Sequence, residues 1–277
     1  MLCLVITPQC CRSEAEVASL QYQFANRSHY DYMIEEDAIV YGPDGEIIAR
    51  LVTNALDERL IANTAAHFIK VRGDGSARGS IVGSGAMMHR IRKDNTISFT
   101  TGVPQSIVKE MVANNEFTDF LGYMDASPRF PACRETAWSL KKPEIHAAAI
   151  PFAEAVSRIY SDELPEHYAR QREFMERVAD HFKLPGSVYT TVTVNRRKRT
   201  AYHYDENDFR GGMGNLVVLE GNDSGELVMP RFRLAFRPRP TDVLLMDVHQ
   251  MHGNLQVVGE RLTAVLYARE HIDECGG

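Results

Sequence analysis

The sequence has little cysteine, no long hydrophobic run and no excess of positive charge. Its five cysteines are too few and too unevenly spaced for a disulfide framework, and none forms a C-x-x-C pair. This usage favours a reducing, intracellular compartment. No window approaches the roughly 18 apolar residues of a membrane-spanning helix, and the short apolar start lacks the basic residues of a secretory signal. The sequence therefore predicts neither a secreted protein nor a membrane protein.

Composition and charge are those of an ordinary globular chain. Hydrophobic residues make up 44% of the 277 residues and charged residues 25%, which excludes a disordered, collagen-like or coiled-coil chain as a whole. At roughly 150 residues per domain, this length allows one large domain or two small ones. The formal net charge of −6 argues against a protein that coats nucleic acid by bulk electrostatics. Local basic patches are still compatible with it.

The chain divides near a passage rich in glycine and serine at residues 73–84. We expect an N-terminal elaboration of unknown role over residues 1–72 and a main domain over residues 73–277. Apolar residues at helical spacing predict helices from Asp57 to Lys70, Pro143 to Tyr160 and Asp162 to Phe182, the last with Asp162 as its N-cap.

Short β-branched or apolar runs separated by turn residues dominate the second half of the chain. Strands following helices in this way predict an α+β fold, with a β-sandwich or a double-sheet jelly roll in the C-terminal half. The predicted strands are Ala38 to Tyr41, Ile47 to Val52, Val188 to Val194, Asn215 to Glu220, Glu226 to Met229, Phe232 to Phe236, Asp242 to Met246 and Leu262 to Ala268.

The triplet His203-Tyr204-Asp205 is the strongest candidate for a metal site. It follows a strand-like segment, so the side chains of residues 203 and 205 share one face. The same triplet at residues 29–31 shows how easily the pattern arises by chance. Only the second copy is followed, after further strands, by a third candidate ligand at a strand end, His252, and then by Arg261. We therefore expect substitution of His29 to leave turnover nearly intact.

Two imidazoles and one carboxylate on one face of a metal are the ligand set of non-haem Fe(II) oxygenases. Arg261 and Thr263 lie on one face of the next predicted strand and can hold the distal carboxylate of 2-oxoglutarate. His249 is a rival to His252. We favour His252 as the ligand because it precedes Gly253-Asn254, where a strand end would open toward a cavity, and we interpret His249 as a structural or supporting residue.

Two arginine-rich segments are candidates for contact with nucleic acid. If residues 231–239 are extended, their four arginines fall on one face, where they could track phosphates, and their apolar residues fall on the other. The cluster Arg196-Arg197-Lys198-Arg199 lies just before the metal motif. A solvated surface is the alternative interpretation of both.

These motifs resemble the TET/JBP family of 2-oxoglutarate dioxygenases, and most closely the thymine hydroxylase domain of the base J-binding proteins. The likeness spans roughly residues 73–271, while residues 1–72 carry none that we identify. The residues that carry it most specifically are Thr191 to Arg196, Arg199 to Phe209, Gly211 to Leu216, Asp247-Val248-His249 and Arg261-Leu262-Thr263.

The resemblance implies a double-stranded β-helix, or jelly-roll, core with supporting helices that uses Fe(II), 2-oxoglutarate and O2. It implies oxidation of the 5-methyl group of thymine or 5-methylcytosine in DNA, on a base that is flipped out or unpaired. The implied iron ligands are His203, Asp205 and His252, with Arg261 as the 2-oxoglutarate anchor. The positions at which relatives line the base pocket are Asp208, Tyr267 and Arg269.

An acid and an arginine in that pocket fit thymine slightly better than 5-methylcytosine, because thymine offers N3–H as a donor and O4 as an acceptor. Two alternatives to DNA oxidation stay open. A hydroxylase of a free nucleotide or other small molecule is favoured by the net charge. A non-catalytic DNA-binding module would keep the fold but is disfavoured by the complete set of metal and co-substrate residues.

Overall fold

A computed structural model describes residues 1–72, 89–91, 97–99, 116–127, 130–221 and 223–275. The glycine-rich passage expected at residues 73–84 lies outside these residues, so the division of the chain at residue 72 stays a prediction. No helix within the described ranges is long and apolar enough to cross a membrane. The described α-helices are α1 (Glu14–Ser19), α2 (Glu58–Phe68), α3 (Ala137–Lys141), α4 (Pro143–Glu163) and α5 (Pro165–Glu176).

Most strands belong to two sheets. The larger has nine strands in the order β1-β3-β4-β13-β10-β15-β9-β7-β8, and the smaller has four in the order β14-β11-β12-β2. The strands are β1 (Leu2–Val5), β2 (Tyr32–Ile34), β3 (Ala38–Tyr41), β4 (Ile47–Val52), β5 (His89–Ile91), β6 (Ile97–Phe99), β7 (Phe117–Met124), β8 (Arg134–Glu135), β9 (Thr191–Arg196), β10 (Gly214–Gly221), β11 (Leu227–Met229), β12 (Leu234–Phe236), β13 (Val243–Met246), β14 (Gly253–Asn254) and β15 (Arg261–Tyr267).

Both faces of the larger sheet are covered. In the central strand β13, Val243 and Leu245 pack into a core shared with the helices, whereas Leu244 and Met246 pack into a second core shared with the smaller sheet. A strand alternates its side chains between faces, so burial on both sides requires an uninterrupted apolar run. This is why residues 243–246 read as Val-Leu-Leu-Met.

The predicted helices form, with different ends. Asp57 caps α2 by accepting hydrogen bonds from the backbone N–H groups of Arg59 and Leu60. The prediction of Asp162 as an N-cap is wrong. Helix α4 continues to Glu163, and α5 begins at Pro165, because Leu164 leaves the helical region at φ −134° and ψ 64° and proline is favoured in a first helical turn.

All the predicted strands form within a few residues of their expected ends, but the extended arginine face over residues 231–239 is wrong. Residues 230–232 form a 3-10 turn and Arg233 is left-handed at φ 57°, so β12 contains only residues 234–236. Arg233 pairs with Asp31, and Arg237 with Glu35 and Glu226. These arginines are therefore neutralised within the protein and do not form one continuous basic face.

Residues 1–72 contribute strands to both sheets. Strand β4 pairs antiparallel with β13, placing Val52 opposite Val243, and β2 pairs parallel with β12. The N-terminal segment is thus hydrogen-bonded to the same sheets as the second half of the chain.

Cys133 and Cys275 form a disulfide, with their Cα atoms 5.8 Å apart. The sequence predicted no framework of disulfides, and this single bridge was not anticipated. A pairing across 142 residues leaves no spacing pattern that the sequence could reveal.

Arg50 of β4 joins the N-terminal strands to the helical layer. Its guanidinium lies 2.7 Å from Asp37 and 2.8 Å from Glu163 at the end of α4, and its side chain is only 5% exposed. We expect Arg50→Ala to lower the free energy of unfolding by about 2 kcal/mol, because two part-buried carboxylates lose their partner. Urea denaturation measures this, with Arg59→Ala on the exposed surface of α2 as the matched control. Equal losses in the two variants would contradict the role of Arg50.

Candidate active site

Two backbone hydrogen bonds place the two candidate histidine ligands side by side. The N–H of His203 donates to the carbonyl of His252 at 2.9 Å, and the N–H of His252 donates to that of His203 at 3.0 Å. Residues paired in this way point their side chains to the same face of the ladder. The ring centroids accordingly lie 4.4 Å apart.

Asp205 lies between the two rings. One carboxylate oxygen is 3.5 Å from His203 Nε2 and the other is 3.6 Å from His252 Nε2. The Nδ1 atoms are 2.8 Å from the Ala201 carbonyl and 3.0 Å from the Gln250 carbonyl. A carbonyl only accepts, so each Nδ1–H donates, and in the neutral ring Nε2 then carries the lone pair that a metal binds. Candidate ligand atoms of the three residues lie within 4.8 Å of one another.

The electrostatics of the three residues suit a cation. Burial raises the pKa of Asp205, but the hydrogen bonds and charges of the two histidines outweigh it and hold the pKa well below its usual range. Burial and the neighbouring His252 lower the pKa of His203. Burial also lowers the pKa of His252, but Asp205 outweighs it and raises the value overall. The site therefore offers an anionic oxygen and at least one neutral imidazole at pH 7.

Within the described residues, no other group of three or more His, Cys, Asp and Glu side chains could share an ion. The first copy of the triplet is dispersed: His29 contacts the Tyr202 hydroxyl, and Asp31 pairs with Arg233. His249 lies 3.0 Å from the Asp208 carbonyl through Nε2 and 3.4 Å from Asp247 through Nδ1, so its ring nitrogens are turned to groups other than the three candidate ligands.

Side chains that alternate along β9 and β15 form one wall of the cavity that contains the three candidate ligands. The even-numbered residues 192 and 194 of β9, and 262, 264 and 266 of β15, are buried against the helices. The odd-numbered residues face the cavity. The remaining lining comes from strands β7, β10, β11, β13 and β14 and from segments between strands, including those that carry the candidate ligands. The cavity-lining residues of β9 and β15 are Thr193, Asn195, Arg261, Thr263, Val265 and Tyr267.

Arg261 and Thr263 thus lie in the cavity wall, as their predicted shared face requires. Arg261 is 7% exposed and makes no side-chain hydrogen bond or ion pair with the described residues. Burial lowers the pKa of Arg261 to about 10, so the guanidinium is still charged at pH 7. A buried, unpaired cation is costly unless an anion completes it, and a guanidinium matches a carboxylate with two parallel hydrogen bonds. The residue fits the role of a carboxylate anchor.

Gly225 makes room for this side chain. A Cβ at that position would lie 3.0 Å from Arg261 Cδ, and its φ of +74° also favours glycine.

Of the three candidate base-pocket residues, only Tyr267 lies in the cavity wall. Tyr267 lines the cavity, and its hydroxyl is 3.1 Å from Thr193 Oγ1. Asp208 and Arg269 form an isolated bridge with each other and are not part of the cavity lining. The guanidinium of Arg269 pairs with buried Asp125 at 2.7 Å. Roles for all three in base recognition stay predictions.

Sequence analysis missed several cavity residues. Asn195 could have been found from the alternation of β9, since it shares a face with Thr193. Lys198 and Asn254 also line the cavity. Asp125 had no sequence signal, because its pairing with Arg269 depends on a contact between residues 144 positions apart.

The three arginines of the basic cluster at residues 196–199 contact other groups of the protein. Arg196 and Arg197 both pair with Glu260, at 3.2 and 3.3 Å. Arg199 lies over the ring of Phe24, 4.1 Å from its centroid.

The model of the Tet_JBP family, described as the oxygenase domain of the 2OGFeDO superfamily, matches residues 120–270. The chain belongs to the Tet_JBP family. The cofactors of this superfamily are Fe(II) and 2-oxoglutarate, and the convergence of His203, Asp205 and His252 fits that cofactor pair. The family assignment made from the sequence is confirmed.

Two curated relatives are similar over part of their length. The bifunctional helicase and thymine dioxygenase JBP2 of Leishmania infantum is 36% identical over 160 residues, which are 55% of this chain and 14% of the relative. Thymine dioxygenase JBP1 of Trypanosoma brucei brucei is 32% identical over 198 residues, which are 64% of this chain and 23% of the relative. The chain therefore spans less than a quarter of either relative.

The solved structure of NgTET1 in complex with 5mC DNA shares the fold. It superposes with a TM-score of 0.58 at 14% identity, covering 95% of this chain and 93% of that one. The predicted α+β fold with a jelly-roll dioxygenase core is confirmed.

The choice between His252 and His249 can be tested by metal titration. We expect His252→Ala to weaken Co(II) binding by more than about a hundredfold, because a direct ligand matters at least as much as the groups that orient it. His249→Ala should stay within about threefold of the unchanged chain, because its ring is turned to Asp247 and Asp208. Absorbance of bound Co(II) measures both affinities. The reverse order would show that the wrong histidine was chosen.

Proposed function

We propose that this chain is an Fe(II)- and 2-oxoglutarate-dependent dioxygenase that hydroxylates the 5-methyl group of a pyrimidine in DNA. The observation that carries the proposal is the convergence of His203, Asp205 and His252 in one cavity with the buried guanidinium of Arg261. The proposal includes an intracellular location, because its substrate is DNA.

The candidate metal ligands and Arg261 have separate roles in the proposed reaction. A pyrimidine methyl group is not acidic enough for a general base to act on it, so bound iron and O2 supply the oxidising power. His203, Asp205 and His252 would hold the iron, and the iron would supply the oxidising chemistry together with 2-oxoglutarate and O2. Arg261, with Thr263 beside it, binds the far carboxylate of 2-oxoglutarate and fixes its orientation.

The substrate base enters the cavity outside the duplex. A methyl group in a stacked base cannot reach a buried cavity, so the base is flipped out or supplied unpaired. Tyr267 offers an aromatic face for stacking. Asp208 and Arg269 do not line the cavity itself, so they would meet only the part of the base that stays outside it, Asp208 as an acceptor and Arg269 as a donor.

Thymine is the preferred base in this proposal. The relatives at 36% and 32% identity are named thymine dioxygenases, whereas the structure bound to 5mC DNA shares 14% identity with this chain. The carboxylate of Asp208 would accept from N3–H of thymine, and the guanidinium of Arg269 would donate to O4.

A hydroxylase of free nucleotides is the second candidate. It is favoured by the engagement of Arg196, Arg197, Arg233 and Arg237 with carboxylates of the protein itself, which reduces the charge available to a phosphate backbone.

Incubation with Fe(II), ascorbate and 2-oxoglutarate tests the activity. DNA containing only thymine, DNA containing 5-methylcytosine, and the free nucleotides are compared by nucleoside mass spectrometry and succinate formation. We expect 5-hydroxymethyluracil from the thymine DNA. Product from free nucleotides alone would support the second candidate, and no oxidation of any substrate would contradict both.

The role of Arg261 has its own kinetic test in the same assay. Arg261→Lys keeps the charge but loses the planar pair of donors, so we expect the KM for 2-oxoglutarate to rise about tenfold. Arg239→Lys is the matched control, because the Arg239 side chain is 55% exposed and lies outside the cavity. An unchanged KM in Arg261→Lys would contradict the assignment.

A further inference from the structure

An N-terminal segment packs directly against the extended segment that carries His203. The N–H of Tyr202 donates to the carbonyl of Gln23 at 2.9 Å, and the N–H of Tyr22 donates to the carbonyl of Tyr202 at 2.9 Å. Phe24 forms an antiparallel bridge with Ala201. Residues 201–203 therefore lie between two backbone partners, the N-terminal segment on one side and the segment that carries His252 on the other.

The side chain of Tyr202 connects this segment to the candidate metal site. Neighbouring side chains on an extended segment point to opposite faces, so Tyr202 points away from the cavity that His203 enters. It is fully buried, and a Cβ at Gly253 would lie 3.0 Å from its ring. Tyr202 thus precedes His203 in the chain and also packs closely against the segment that carries His252.

The Tyr202 hydroxyl is 3.0 Å from Nδ1 of His29, and the neighbouring residues define the direction of this hydrogen bond. Asn26 Oδ1 accepts from the backbone N–H of Ser28 at 2.9 Å and from its hydroxyl at 2.6 Å, so the Asn26 amide group is the donor to His29 Nε2 at 3.0 Å. Nε2 then accepts, and Nδ1–H donates to the Tyr202 oxygen. Burial lowers the pKa of His29, in agreement with a neutral ring.

A second contact secures the same segment. Arg199 lies over the ring of Phe24 and donates to the carbonyl of Ala25 at 2.8 Å. The residues just before the triplet are therefore tied to the N-terminal segment through backbone, aromatic and hydrogen-bonding contacts.

We propose that residues 22–29, the N-terminal brace, position His203 for metal binding through the hydrogen bond from His29 to Tyr202. The brace lies outside the region that the family model matches, which begins at residue 120. His29 and Tyr202 are positioning residues, because they act through the backbone of the segment that carries His203. The inference rests on the proposed metal site. It revises the expectation that substitution of His29 has almost no effect.

The physical reason is preorganisation. A metal site binds tightly when its ligands are held within roughly half an ångström of the required geometry by packing and hydrogen bonds. Groups that orient a ligand directly are worth about tenfold to a hundredfold in affinity. The brace acts one residue away from the ligand. We therefore expect loss of its hydrogen bond to weaken metal binding about threefold to tenfold.

The test measures Mn(II) affinity of the full chain by electron paramagnetic resonance of the free ion, with thermal unfolding recorded for every variant. His29→Ala and Tyr202→Phe should each raise the Kd about threefold to tenfold, and the double variant should raise it no further, because both remove one hydrogen bond. His29→Asn should restore most of the affinity, since its amide can donate from nearly the same position as Nδ1–H.

Tyr30→Phe is the matched control. Tyr30 belongs to the same N-terminal segment, and its buried hydroxyl has no hydrogen-bond partner in the part of the chain that the structure describes. Its removal should leave the Kd unchanged.

The outcomes separate the brace from the metal site. Wild-type affinity in both single variants would overturn the positioning role, whatever their melting temperatures. Additive losses in the double variant, or no recovery in His29→Asn, would also overturn it. Absence of Mn(II) binding in the unchanged chain would instead overturn the proposed metal site, and the role of the brace with it.

Discussion

The reciprocal backbone hydrogen bonds between His203 and His252 are the constraint on which the rest of the site depends. They bring two imidazoles from distant parts of the chain to one face, and the carbonyl partners of both Nδ1 atoms turn the Nε2 atoms toward Asp205. A metal ion needs this arrangement before it binds, because ordering free side chains would cost conformational entropy. The two sheets and the helices behind them hold the paired segments in place.

The cavity combines groups that would be unfavourable in an ordinary protein interior. Buried Arg261 makes no side-chain hydrogen bond or ion pair with the described residues, and the two histidines hold the pKa of Asp205 well below its usual range. Such costs are typical of sites that a ligand completes. By contrast, Arg196 and Arg197 are paired with Glu260, and Arg269 is paired with Asp125.

Elements dominated by local patterns could be predicted from the sequence. The apolar run of β13, the capped start of α2 and the alternation that carries Arg261 and Thr263 each follow from side-chain spacing, and the triplet at His203 could be separated from its copy at His29 by the motifs that follow it. Long-range pairings could not be predicted. The contact of Asp125 with Arg269, the bond between Cys133 and Cys275, and the left-handed Arg233 that interrupts the expected arginine face all depend on packing between distant segments.

The most direct test of the central claim is X-ray absorption at the iron K-edge of the Fe(II)-loaded chain. The account predicts two imidazole ligands with the remaining near neighbours oxygen, and one imidazole fewer after His203→Ala. Iron bound without histidine, or a spectrum that His203→Ala leaves unchanged, would contradict it.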